Sequence, residues 1–63
     1  MRKYLIKNII NNEYFSRFEE GNIFFVTIKD NQLRVFDDLG YVTIIKNNIE
    51  KSHPELNLEI EKY

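Results

Sequence analysis

Hydrophobic positions along this chain change their period from one stretch to the next, and the changes mark its elements. In Ile23–Phe36, IFFVTIKDNQLRVF, two runs rich in β-branched and aromatic residues flank Asp30-Asn31. That pair tolerates the left-handed backbone of a two-residue hairpin turn. The pattern predicts a β-hairpin in which Lys29 faces Gln32, and the pairing runs back through Ile28–Leu33, Thr27–Arg34 and Val26–Val35 to Phe25–Phe36. Side chains alternate between faces along a strand. One face then holds Phe24, Val26, Ile28, Leu33 and Val35, all apolar, and is the expected core face. The other holds Phe25 and Phe36 as a direct cross-strand pair, with Thr27, Arg34, Lys29 and Gln32 beyond it. A slip of one residue would exchange the two sets, and the wholly apolar set selects this register.

The opening segment has a different period. Leu5, Ile6, Ile9 and Ile10 fall on one side at helical spacing, which predicts a helix over residues 2–10. Continued unbroken, that helix would bring Glu13, Arg17 and Glu20 onto its apolar face. A restart at Asn12 removes the conflict and gathers Tyr14, Phe15 and Phe18 into one stripe. Asn11-Asn12 suits the break, because asparagine caps helices well and sits poorly inside them. Gly21 reads as the C-terminal stop of this second short helix.

After the hairpin, Leu39, Tyr41, Val42, Ile45 and Ile49 form a stripe of helical width, with Asp37-Asp38 placed to cap it and Pro54 to end it. The run YVTII could instead be a strand, but the continuation through Ile45 and Ile49 favours the helix. Beyond Pro54, Leu56, Leu58 and Ile60 alternate with Asn57, Glu59 and Glu61, which predicts a last strand. The expected fold is a small two-layer α+β domain over residues 1–63. Its order is α-α-β-β-α-β, with a three-stranded, mainly antiparallel sheet and the helices on one face.

Composition narrows the function more than the fold. A chain of 63 residues buries only about 60% of its unfolded surface, so self-association is a common remedy for marginal stability. There is no cysteine, which removes disulfides and thiolate metal sites and fits a reducing cytoplasm. No apolar run approaches membrane-spanning length, and the N-terminus has no signal-peptide pattern. The net charge is −1 and the pI about 5.7, which gives no bulk attraction to nucleic acid. Residues 1–17 nevertheless hold four basic groups against one acidic, and the remainder five against nine. The abundance of asparagine, isoleucine and lysine suits an AT-rich genome, such as that of a low-GC bacterium or its phage.

Candidate chemistry is sparse. His53 is the only histidine and stands where a helix C-terminus favours a cationic cap. Asp37-Asp38 could recruit Mg²⁺ at a strand end, but consecutive strand residues point apart, and helix capping explains the pair. Ser16 and Ser52 have no visible base, and no glycine-rich phosphate loop exists. Neither an enzyme, a metal site nor a cofactor is expected. Arg2, Lys3 and Lys7 can pair with Glu59 and Glu61, or serve an acidic partner. Tyr14, Phe15 and Phe18 read first as core and second as a contact surface.

The Phe25–Phe36 pair is the sharpest signal. Something outside its own sheet is expected to cover it: the Asn12–Glu20 helix, a second copy or a partner. The expectation is therefore a cytoplasmic, non-enzymatic protein-interaction module. Its expected role is as an inhibitor or regulator of a larger complex, of the kind phage and mobile elements carry, or as a homodimer. Its expected contacts are Phe25, Phe36, Arg34, Lys29, Tyr14, Phe15, Phe18, Lys3 and Lys7. The competing reading is single-stranded nucleic-acid binding, with Phe25 and Phe36 stacking bases and Arg34 and Lys29 meeting phosphates. Glu59 and Glu61, expected on the same face, argue against it.

Overall fold

The first third of the chain forms strands where its periodicity predicts helices. The computed structural model describes residues 2–63. They run β1 (Tyr4–Asn8), β2 (Glu13–Glu19), β3 (Asn22–Val26), α1 (Leu39–Ser52) and β4 (Leu58–Lys62). The strands make one antiparallel sheet in the order β3-β2-β1-β4, and α1 packs against one face through Val42 and Ile49. The α+β class is as expected. The order is β-β-β-α-β, with four strands and one helix in place of three of each.

The helical spacing near Tyr14 has a strand origin. The β2–β3 register shifts between Phe15 and Arg17, which leaves Ser16 as an extra residue, the geometry of a β-bulge. The insertion returns Phe18 to the face of Phe15, and their rings lie 5.1 Å apart. A bulged strand thus reproduces the three-residue spacing of a helix. In β1, Leu5 and Ile6 are both buried although they point to opposite faces, while Ile9 and Ile10 are exposed turn residues.

Asn11-Asn12 does break the chain, between strands. Asn12 takes a positive φ of 57°, and the buried Asn8 side chain accepts a hydrogen bond from the Ile10 N–H at 3.2 Å. Gly21 ends no helix. Glu20 (φ 51°) and Gly21 (φ 79°) form the two-residue loop between Glu19 and Asn22, and positive φ at both positions is the type I′ hairpin geometry.

The hairpin over Ile23–Phe36 does not form, and neither does its left-handed Asp30-Asn31 loop, since neither residue has a positive φ; the chain turns twice about Asp30 instead. Asp30 donates its N–H to the Thr27 carbonyl at 3.1 Å, accepts from the Leu33 N–H at 3.2 Å, and its carboxylate accepts from the Gln32 N–H at 2.8 Å. The residues that follow do not return to β3, whose Phe25 already faces Phe15. Instead the Arg34 N–H donates to the Phe15 carbonyl at 3.2 Å, and Phe36 exchanges two hydrogen bonds with Tyr4 at 2.7 and 2.9 Å. The segment fills the gap between β1 and β2, whose own ladder joins only Lys7 to Tyr14 and Asn8 to Glu13. The faces are exchanged as a result. Phe36 enters the core at 4% exposure and Phe25 packs against it, whereas Phe24 and Ile28 are exposed.

The C-terminal half follows its pattern. The Asp38 carboxylate caps α1 by accepting from the Gly40 N–H at 3.0 Å. His53 closes the helix through its backbone N–H, which reaches the Ile49 carbonyl at 2.8 Å, and Pro54 follows. In β4, Leu58 and Ile60 face α1, and Leu56 just before the strand joins the same cluster. The core on this side is Tyr4, Ile6, Phe15, Phe36, Val42, Ile49 and Leu58. Among the described residues, no helix is long and apolar enough to cross a membrane.

Candidate functional site

Four aromatic rings run in a row across the open corner between the sheet and the first turns of α1. Phe18 lies 5.1 Å from Phe15, Phe15 is 6.3 Å from Phe36 at an interplanar angle of 21°, and Phe36 is 5.8 Å from Tyr41. The two inner rings belong to the core. The two outer rings are half exposed, Phe18 at 52% and Tyr41 at 47%. The row lines a cleft of about 240 Å³ together with Ser16, Arg17, Arg34 and Ile45.

Three local features build this cleft. The bulge at Ser16 turns Phe18 toward the helix side. Hydrogen bonding to Phe15 and Tyr4 seats the Arg34–Phe36 segment between β1 and β2. The α1 stripe is about 160° wide at ~100° per residue, too broad for a single contact with the sheet. Its margins, Leu39 and Tyr41, therefore stay exposed while Val42 and Ile49 are buried.

Two arginines border the cleft and differ in freedom. Arg17 is engaged: its guanidinium reaches Glu19 at 3.0 Å and the Gln32 side-chain carbonyl at 2.9 Å, and it lies 4.5 Å over the Phe24 ring. Ser16 is likewise committed, donating its hydroxyl proton to the Gln32 backbone carbonyl at 2.7 Å. Arg34 lies 5.0 Å over the Phe36 ring and makes no ion pair among the described residues. The cleft thus offers stacking and apolar surface with one available cation.

Phe15, Phe18, Arg34 and Phe36 converge here, though Phe15 and Phe36 mainly as floor. Phe25 lies beside this group, facing Phe15 across the β2–β3 ladder, so the outward Phe25–Phe36 pair does not exist. Lys29 is exposed in the loop after β3, and Lys3 lies just before β1, away from the cleft, where its carbonyl accepts from the Tyr63 N–H beyond β4. Tyr14 and Lys7 point away from α1. There the Tyr14 hydroxyl donates to Glu61 at 3.1 Å, and Lys7 stands 3.6 Å from the same carboxylate. The Tyr14 pKa is raised, first by burial of the ring and then by the hydrogen bond to Glu61 and its charge, against a smaller opposing effect of Lys7. Glu59 and Glu61 therefore share a face with Tyr14, not with Phe36.

Tyr41, Ile45, Ser16 and Arg17 were not expected at the site. The excess width of the α1 stripe was the available signal for Tyr41. Among the described residues, no three His, Cys, Asp or Glu side chains gather as a metal site would require. Comparison with protein-family models, curated proteins and solved structures gives no match to this chain.

Proposed function

We propose that this chain is a non-catalytic protein-interaction module that docks an apolar side chain of a larger protein into the Phe18–Tyr41 cleft. An acidic neighbour on the partner would meet Arg34. The observation that carries the reading is the row of rings whose ends stay half exposed beside an unpaired guanidinium. Aromatic residues and arginine are the types that anchor protein interfaces most often. In this reading the protein is a cytoplasmic inhibitor or regulator, the kind of small protein that phage and mobile elements direct at host enzymes or defence complexes.

The nucleic-acid reading loses its two stacking platforms, because Phe36 is buried and Phe25 is turned toward the core. It would now rest on Phe18 and Tyr41, next to the exposed Asp37 and Asp38 that follow Phe36. Carboxylates there oppose phosphates, so protein binding is the stronger proposal.

The test is affinity capture from host extract with the wild type and with Tyr41→Ser combined with Arg34→Ser. A protein partner retained by the wild type should be retained at least about tenfold less by the variant. The variant should lose about 1–2 kcal/mol of stability from the ring and cation contacts to Phe36 and still give a cooperative unfolding transition, which shows that lost retention is not lost folding. Equal retention by both proteins, or recovery of nucleic acid alone, would overturn the proposal.

A further inference from the structure

The sheet has two edges, and they are built differently. Proteins guard a free edge with charges, proline or bulges, since its unpaired N–H and C=O groups template another strand. The β4 edge is guarded: Glu59, Glu61 and Lys62 lie along it. The β3 edge is Asn22-Ile23-Phe24-Phe25-Val26, with no charge and no proline, and the bulge of this hairpin lies in β2.

The register shows which backbone groups β3 leaves open. Asn22 faces Glu19 across the two-residue turn, so its N–H and C=O point toward β2. Alternation then turns those of Ile23 and Phe25 outward. Beyond the β2–β3 ladder, neither residue's backbone makes a hydrogen bond among the described residues.

We propose that β3 is a self-pairing edge, joining two copies of this chain through an antiparallel β3–β3 ladder centred on Phe24. In that register, Ile23 of one copy exchanges both backbone hydrogen bonds with Phe25 of the second, and the reverse pair does the same. Phe24 meets its own counterpart in the close, non-hydrogen-bonded position. Cross-strand apolar pairs form on both faces, Ile23 with Phe25 on the helix side and Phe24 with Phe24 on the other. The result is a continuous eight-stranded sheet.

Charge selects a second copy at this edge. The strand is neutral, so it meets itself without opposing like charges; Ile23 and Phe25 flank Phe24 with apolar side chains on both sides, and Asn22 meets Val26 at the two ends of the ladder. The β4 edge fails that requirement. Paired with itself about Ile60, it would set Glu59 directly against Glu61 twice, an unfavourable like-charge contact. The proposal is independent of the Phe18–Tyr41 cleft, which uses side chains rather than edge backbone.

Sedimentation equilibrium and amide hydrogen exchange on the full chain test it together. With increasing concentration the mass should rise from 7.7 kDa to twice that value, and the Ile23 and Phe25 amides should gain protection in step with it. Phe24→Lys places two cations opposite each other and should weaken the dimer at least about tenfold. Tyr41→Ser should leave it unchanged. A monomer persisting at about 1 mM, or a dimer whose Ile23 and Phe25 amides exchange at a concentration-independent rate, would overturn the proposal. So would a dimer that a folded Phe24→Lys leaves intact. If Phe24→Lys does not fold, the exchange pattern of the wild type decides alone.

Discussion

The two faces of the sheet bury residues of the same strands by different means. On the helix side, Phe15, Phe36, Val42, Ile49 and Leu58 pack as an apolar cluster, and dispersion and water exclusion carry the stability. On the far side, Leu5 is only 1% exposed without any help from α1. Its neighbours there are polar at their tips: Tyr14 hydrogen-bonds Glu61, and Lys7 pairs with the same carboxylate. A helix gives one face a thick apolar cover. The other is closed by amphipathic side chains that keep their charged ends wet. The comparison explains why β1 and β2 carry apolar residues on both faces.

Phe36→Ala tests the helix side and should have the largest effect. Phe36 contacts Phe15 and Tyr41 and is buried in the core. Its truncation should cost about 3–5 kcal/mol, enough to unfold a domain of this size, as read by chemical denaturation. A fully folded, cooperative variant would show that the Arg34–Phe36 segment does not complete the core.

Tyr14→Phe probes the far side at a smaller scale. Losing the hydrogen bond to Glu61 should cost about 0.5–1.5 kcal/mol. The pH dependence has a definite sign. The folded pKa of Tyr14 is raised above the ordinary 10.0, so folding favours the protonated form. Its contribution is complete below pH 10.0 and is lost as pH rises through the higher folded value. In an alkaline titration followed by tyrosinate absorbance, a phenol titrating above pH 10.0 should therefore disappear in Tyr14→Phe. Persistence of that phase would separate Tyr14 from the partly buried contact with Glu61.

Lys7→Met should have the smallest effect. The Lys7–Glu61 pair is partly solvated, and such pairs contribute about 0–1 kcal/mol. The unfolding midpoint should move slightly, and less in high salt than in low. A loss comparable to that of Phe36→Ala would mean that ion pairing holds the far face and would collapse the distinction.

The elements that sequence alone determined are those whose partners are local or whose one-sided pattern admits a single solution. α1 follows from its stripe, its Asp38 cap and the Pro54 stop, all settled within a few residues of one another. β4 follows from the alternation of Leu58 and Ile60 with Glu59 and Glu61. The break at Asn11-Asn12 also held, and Asp30 lies at a change of chain direction though not in the two-residue loop expected there, because turn chemistry is a property of the residues themselves. Of the site, Arg34 was legible as outward surface and Phe36 as an aromatic to be covered, while Phe15 and Phe18 read first as core and only second as a contact surface.

Tertiary structure decided the rest. A bulge at Ser16 gave β2 the spacing of a helix, and burial on both faces hid the period of two in β1. Phe25 pairs with Phe15 and Phe36 with Tyr4, not with each other, because the turn between them in sequence does not choose the strand partner. The Glu20-Gly21 turn, where the helical pattern predicts a C-terminal stop, gives β3 to β2. Phe36 was then free to fill the gap beside Tyr4, over thirty positions away in the chain. Strand pairing is a competition among all available edges. Only the folded chain shows which edge wins, and with it which aromatic faces the core and which faces the solvent.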